Sequence, residues 1–404
     1  MAGTPVHELD LPEIEMMGLE RGVALDAARA AAEKHWLARM PLGYTVTRYE
    51  DVVAILRDRR FHSAVSLVTQ MSGAEDSSAE RRRQSILAME GEAHTRLRRL
   101  VAPAFTPASA DRLRPFMRDV ITGLVDQVAE SGQCELVADV CDPYPIPIIC
   151  ELLGAPKQDW KLFSQWATDI FRIFNNNLAE DLPVIEQASA ELDEYVRAMV
   201  EERRKKPAED LLSDLIAAEE QGDRLSTDEL VMLAEAVLMA GTDTTRNQLG
   251  CSVALFTEHP DQWALLAARP ELAPKAVEES MRYLGAVRGT ARVASEDIEY
   301  RDVLFPAGTL VSTALAAANL DPGVFEAPDA FDITAERQVA QMTFGSGIHF
   351  CMGAALARAE LQEALPLLAR RFVDLRLNGP IEWKPETFGI WGPARLPLKF
   401  RAGG

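Results

Sequence analysis

The segment TDELVMLAEAVLMAGTDTTRNQLGCSVALFTEHP, residues 227–260, is helical in its spacing and apolar on nearly every face. A helix with no polar side cannot lie on a surface, so it is expected to run through the core. Ser226 or Thr227, ahead of Asp228 and Glu229, marks its start. Other elements must wrap this rod. With 404 residues, 48% of them hydrophobic, the chain has enough apolar surface to do so.

Long amphipathic helices are expected around it, in ADRLRPFMRDVITGLVDQVAES, IEQASAELDEYVRAMVEERRKK and AVEESMRYLG. Near the start, VALDAARAAAEKHWLARM reads as helix and GYTVTRYEDV as a hairpin. VTQMSGAEDSSAERRRQ is polar and irregular, the pattern of a long mobile loop. TARVASEDIEYRDVLFPAGTLVSTAL alternates like short strands, with a turn at Pro306 to Gly308. DPGVFEAPDAFDITAERQ reads as loop, and the closing FGIWGPARLPLKF as a hairpin. The expected fold is mainly α with a small β region.

A net charge of -20 argues against nucleic acid and anionic membranes as general partners. The acidic N-terminus carries no apolar run suited to a signal peptide or anchor, so a cytoplasmic location and no membrane association are expected. Five cysteines, Cys134, Cys141, Cys150, Cys251 and Cys351, show neither paired nor zinc-like spacing.

Cys351 stands apart because FGSGIHFCMG places it in a glycine-rich loop just before the helix-like AALARAELQEALPLLARRF. A helix N-terminus stabilises a thiolate through its dipole and free N–H groups. Gly345 and Gly347 permit unusual backbone, Gly353 lets a flat ligand approach, and Phe344 can shield the sulfur. Three readings stand: a buried cysteine of no special role, a nucleophile with His349 as base, or a thiolate bound to a metal inside a planar cofactor.

Phe344, Gly345, Gly347, His349, Cys351 and Gly353 resemble the F-G-x-G-x-H-x-C-x-G signature of the cytochrome P450 superfamily. The resemblance implies a single P450-like domain over 1–404: long helices around haem b, with a β-rich lobe drawn from the N-terminal part, 287–315 and 380–400. Cys351 is then the iron ligand, and His94, Arg98, Arg292 and His349 are donors to the haem propionates. Ala240 to Thr245 resembles the family's A-G-x-D-T-T motif. There Thr244 holds the activated oxygen and water, and Asp243 helps deliver protons. The weakened turn around Gly241 reads as a groove for dioxygen. Glu279 and Arg282 resemble the structural E-x-x-R pair, and ANLDPGVFEAPDAFDI the segment after it, with Leu320 where arginine is usual.

By family position, the substrate pocket draws on the 66–90 loop and on Phe171, Phe174, Leu238, Ala240, Gly241, Val287, Arg288, Ile390 and Trp391. That set suits a small hydrophobic substrate. Arg288 can anchor a substrate carboxylate, turn outward, or bind a carbonyl near the haem. The implied activity is a monooxygenase that hydroxylates or epoxidises a terpenoid, steroid, fatty acid or aromatic compound. Dioxygen is the oxidant, and electrons come from a separate ferredoxin and ferredoxin reductase, because no reductase domain is fused. Arg96 and Arg99, facing away from Arg98, are expected to dock an acidic donor. A monomer is expected. The alternatives are a peroxide-dependent haem oxygenase, a class that tends to lose the acid–alcohol pair kept here, a haem-based binding protein, and a cysteine hydrolase without haem.

Overall fold

The computed structural model describes residues 3–15, 22–65, 84–174, 178–220, 225–385 and 389–404. Its axis is the expected core helix, Thr227–Glu258, 32 residues and roughly 48 Å long. A capping box starts it: Ser226 Oγ accepts from the Glu229 N–H at 3.2 Å, and Glu229 Oε2 accepts from the Ser226 N–H at 2.9 Å. From Leu249 to Phe256 every residue is buried, as a helix without a polar face requires.

Helices Pro145–Leu153, Trp160–Ile170, Leu178–Lys205 and Ala354–Arg371 pack against this rod. Contact with the first is close because residue 241 has no side chain. A Cβ there would sit 2.8 Å from Ile149 Cγ1. Ala354–Arg371 also packs along Pro107–Ala129, and the buried Tyr144 hydroxyl donates to the Glu360 carbonyl at 2.9 Å.

The β portion is small and dispersed. A five-stranded sheet runs in the order Leu37–Met40, Gly43–Val46, Leu310–Thr313, Thr290–Ala294, Phe61–Ser63. Only the pairing of Gly43–Val46 with Leu310–Thr313 is parallel. Trp36, Phe61, Ile298, Phe305 and Val311 form a separate apolar cluster with this sheet. The strands expected in TARVASEDIEYRDVLFPAGTLVSTAL are present, and the turn closes with Thr309 N–H donating to Pro306 O at 3.0 Å.

Three local expectations need correction. Helix Val23–Lys34 stops at His35, and the residues after it form a strand, because Leu37–Met40 pairs antiparallel with Gly43–Val46 across a turn with Gly43 at φ +89°. The hairpin therefore lies earlier than GYTVTRYEDV, and Tyr49–Arg57 is a helix whose first N–H is capped by Asp321. The closing segment is not a hairpin. Pro393–Arg395 pairs with Glu382–Trp383, while Pro397–Ala402 pairs with Phe372–Leu377 and Gln133–Glu135. The first partner lies just upstream of the expected hairpin, and the last strand reaches as far as residue 133, a pairing that no local pattern announces. Most of the loop expected over VTQMSGAEDSSAERRRQ lies outside the described residues.

Candidate active site

The cysteine loop is built by backbone closure. The Gly345 N–H donates to Met342 O at 2.7 Å, and the Cys351 N–H to Phe344 O at 2.9 Å. Gly347 has φ +74°, and a Cβ on it would stand 2.1 Å from the carbonyl oxygen of Leu56. Only glycine lets this loop lie against the end of helix Tyr49–Arg57, where Arg57 Nε also donates to Ser346 Oγ at 3.0 Å. Cys351 ends the loop, and helix Ala354–Arg371 begins three residues later.

Cys351 is the only exposed cysteine of the five. Surrounding protein nonetheless desolvates its thiol and raises its pKa, against the pull of the Gly353 N–H and the Arg98 and Arg358 guanidinium groups. Left alone, this sulfur stays protonated. The same donors favour the thiolate once a metal displaces the proton. Phe344 lies under the Arg358 guanidinium, 4.5 Å from ring centroid to carbon, and edge-on to Phe350.

Helix Gly91–Val101 brings His94 and Arg98 to the loop. Arg98 donates to the Phe350 carbonyl. The His94 and His349 rings lie 4.6 Å apart. Burial, with help from His349 and Arg98, holds His94 down at about 4, so its ring is neutral near pH 7. His349 Nε2 meets Glu90 Oε1 at 3.0 Å, and that oxygen also accepts the Ser63 N–H at 2.6 Å. Arg292, on the central sheet, is 5% exposed. Burial lowers its pKa to about 10 despite Glu90. Its guanidinium donates to neutral groups, Thr290 Oγ1 at 3.2 Å and Ala291 O at 2.9 Å, and among the described residues it forms no carboxylate ion pair.

On the core helix, Thr244 Oγ1 donates to Ala240 O at 2.9 Å and Thr242 Oγ1 to Met239 O at 2.9 Å, the back-bonding expected there. The helix continues through this turn without a break. Asp243 is buried and paired with Arg246, whose Nε donates to Oδ1 at 2.6 Å. Gly241 serves the contact with Ile149, so its missing Cβ makes room for a helix rather than for a ligand. Ala240 beside it is exposed, and Thr244 is half-buried.

Glu279 and Arg282 form a buried bidentate pair with both contacts at 2.8 Å. Arg282 then donates to the carbonyls of Asn319, Pro328 and Ala330, and Arg337 joins Glu279 at 2.7 Å. Asn319 Oδ1 accepts the Met342 N–H at 2.6 Å. The pair thus anchors the meander that leads into the cysteine loop. Leu320 is simply buried there.

Of the expected pocket residues, Phe171, Val287 and Ile390 are partly exposed, and Val287 bridges Ile390. Leu238 is 1% exposed and Trp391 0%, which places both in the packed core. Trp391 stacks on Trp383 at 4.6 Å, and its indole N–H donates to Lys384 O. Arg288 is 8% exposed, so it does not turn outward, and its guanidinium lies 5.2 Å from the Trp391 ring. The Phe174 side chain and most of the 66–90 loop lie outside the described residues.

A sequence model of the family Cytochrome P450 matches residues 150–374. The luteothin monooxygenase of Streptomyces thioluteus is 37% identical over 92% of this chain and 92% of its own length. The mycinamicin IV hydroxylase/epoxidase of Micromonospora griseorubida is 40% identical, over 89% and 91%. The crystal structure of CalO2 superposes with a TM-score of 0.88 at 31% identity, over 94% of this chain and 96% of that one. The chain belongs to the cytochrome P450 family. It is a P450 monooxygenase of the bacterial, haem-thiolate type. Among the described residues no helix of this P450 is long and apolar enough to cross a membrane.

The structure adds charged groups that the sequence reading did not single out. Glu90 and Arg337 join the two sites above. Glu360, fully buried on the helix after Cys351, accepts from Thr245; burial pushes its carboxyl well up, and among the described residues Oε2 has no hydrogen-bond partner. Arg96 is also not a free docking cation in this P450, because Glu229 holds it in a two-contact ion pair. Arg99 is exposed, as expected. None of these long-range partners has a local sequence signal, and Glu360 stands beside Arg358, Gln362 and Glu363 with nothing in the sequence to mark it as the buried one.

Proposed function

We propose that this P450 binds haem b through Cys351 and oxygenates a small hydrophobic substrate, with electrons delivered by a separate ferredoxin and ferredoxin reductase. The observation that carries this reading is Cys351: an accessible thiol at a helix start, backed by the Gly353 N–H and two guanidinium groups. The residues around it fit the cofactor's chemistry. Arg292 is a buried cation that forms no carboxylate ion pair among the described residues, which suits an anionic propionate. Arg98, His94 and His349 supply further donors beside it.

When bound, the haem supplies dioxygen activation, with the thiolate pushing electron density toward the oxygen. The chain's own groups do the rest. Thr244 spends its hydroxyl proton on Ala240 O, so its oxygen is free to accept a hydrogen bond from water. Asp243, the neighbouring acid, holds or moves a proton. Retention of this acid–alcohol pair supports dioxygen rather than peroxide as the oxidant. The partly exposed Phe171, Val287 and Ile390 orient an apolar substrate and exclude water. Luteothin and mycinamicin IV, the compounds named for the two relatives, make hydroxylation or epoxidation of comparable natural products the first reactions to test. Arg288, held inside, suits an acidic group on such a substrate.

The test is spectral. Reduced protein under carbon monoxide should show the red-shifted Soret band of thiolate ligation, and Cys351→Ala should lose it. Haem-loaded wild-type protein without that band overturns the reading. A screen of terpenoids, steroids, fatty acids and aromatic acids for a spin-state shift then defines the substrate class.

A further inference from the structure

Val287 and Ile390 sit on two separate segments, and each segment is tied to the core helix by one of two neighbouring amides. Gln248 holds the first: its Oε1 accepts the Ala286 N–H at 2.8 Å, and its Nε2 donates to Leu284 O at 3.3 Å. Asn247 holds the second: its Oδ1 accepts from Lys384 Nζ at 2.9 Å, while its Nδ2 is used within the helix, on Asp243 O at 2.7 Å. Both amides are 3% exposed. The segments then bind each other. The Trp391 N–H donates to Ala286 O at 2.8 Å and the Arg288 N–H to Gly389 O at 3.2 Å, on either side of the Val287–Ile390 bridge.

Lys384 joins the second segment at both ends of its residue. Its backbone N–H donates to Gly392 O at 3.1 Å, and its carbonyl accepts the Trp391 indole N–H at 2.8 Å. Its side chain alone reaches the helix. Gly392 makes room for that reach, since a Cβ there would meet Asn247 Oδ1 at 2.7 Å. Part of the Lys384 surface stays in solvent, but the ammonium is turned inward. Desolvation pulls its pKa below the ordinary 10.5, and the Asp243 and Asp142 carboxylates pull back. Arg246, which reaches Asp142 at 3.4 Å, opposes them.

An apolar side chain at this position could pack in several ways. A desolvated ammonium has to keep its acceptor, so it has one place to be. We propose that Lys384 is a positioning residue: by seating its ammonium on Asn247 it fixes how far the 389–391 segment, and Ile390 with it, enters the substrate pocket, and so selects substrates by their apolar bulk. Lys384 acts through Ile390 and exchanges no proton or electron with the substrate. The inference rests on the reading above that Val287 and Ile390 line the pocket.

The test uses the haem-loaded full chain, labelled with fluorotryptophan, and three variants that break the one tie differently. Lys384→Met keeps the length without the charge, Asn247→Ser is too short to reach, and Gly392→Ala crowds the acceptor. The Trp391 fluorine resonance, identified by its loss in Trp391→Phe, should shift in all three. Two uncharged iron ligands, imidazole and phenylimidazole, then report on the pocket through the Soret band. Imidazole should bind each variant within about twofold of the wild type, and phenylimidazole about tenfold more weakly, because Ile390 no longer meets the phenyl ring. Lys384→Met combined with Asn247→Ser should lose no more than either alone, as two breaks of one contact do. Carbon monoxide spectra should stay unchanged. If Lys384→Met fails to hold haem, the other two variants decide the question in the same way. An unmoved Trp391 resonance, a wild-type ratio of the two dissociation constants, or additive losses in the double variant overturns the inference. If the wild type lacks the thiolate band, the proposed function fails and this inference falls with it. A normal band with insensitive variants defeats the role of Lys384 alone.

Discussion

Gly345 and Gly347 share a positive φ, +70° and +74°, yet differ in what surrounds them. Nothing lies within 4 Å of a Cβ built on Gly345, so Gly345→Ala carries only the cost of left-handed backbone, about 1–2 kcal/mol. At Gly347 the Cβ would press on the Leu56 carbonyl at 2.1 Å, and backbone cannot rotate aside as a flexible side chain would. Overpacking adds to the strain, roughly 3 kcal/mol in all. Chemical denaturation should rank Gly347→Ala well below Gly345→Ala, and haem content should fall with it. Equal losses would show that backbone conformation, not the approach to helix Tyr49–Arg57, governs the loop. Both glycines stand in the sequence motif, but their different duties become visible only when residue 56 is brought alongside residue 347.

The Glu279 carboxylate is one of the links between helix Ala273–Tyr283 and the meander after Asn319, so part of their union should depend on pH. Burial alone would raise the Glu279 pKa, but the Arg282 and Arg337 bonds outweigh it and hold it below its ordinary 4.5. A carboxyl depressed in the folded state stabilises the protein above its unfolded pKa, and that stability is lost as pH falls through the folded value. The wild type should therefore lose stability progressively below about pH 4.5. Glu279→Gln should cost about 3–5 kcal/mol at neutral pH by leaving the buried Arg282 and the half-buried Arg337 short of charge, and should flatten the acid limb. Urea midpoints measured across pH read both effects, and an unchanged acid slope in Glu279→Gln would refute the assignment. Legibility follows the same division between local and distant. The E-x-x-R spacing, the cysteine loop and the all-apolar core helix lie within one turn or loop and were readable. Arg337 meets Glu279 across 58 residues, Arg246 meets Asp142 across 104, and the strand Pro397–Ala402 pairs with Gln133–Glu135 far upstream. Such partners are set by how elements pack, and spacing along the chain does not encode them.

The whole molecule carries a charge of -20, while the cysteine loop is rimmed by cations. Arg57 bonds Ser346, Arg98 bonds the carbonyl of Phe350, and Arg99 is exposed on the same helix as Arg98. Phe350 is itself 40% exposed, an apolar spot within this basic rim. An acidic electron donor would feel two opposed forces. The net charge repels it at long range, and the rim attracts it at short range. Salt separates them, because the Debye length shrinks from about 30 Å at 0.01 M to about 8 Å at 0.15 M. The long-range repulsion is screened first, and the close contacts yield only at higher salt. Reduction by an acidic ferredoxin should thus rise from low to moderate ionic strength and then fall. Arg99→Glu should lower the maximum and remove the falling limb, while Arg96→Glu, whose wild-type arginine is already committed to Glu229, should disturb stability more than docking. Stopped-flow reduction rates across a salt series measure both limbs. A rate that falls steadily from the lowest salt would mean that local attraction dominates at all distances, and a rate indifferent to Arg99→Glu would move the docking site away from the cysteine loop.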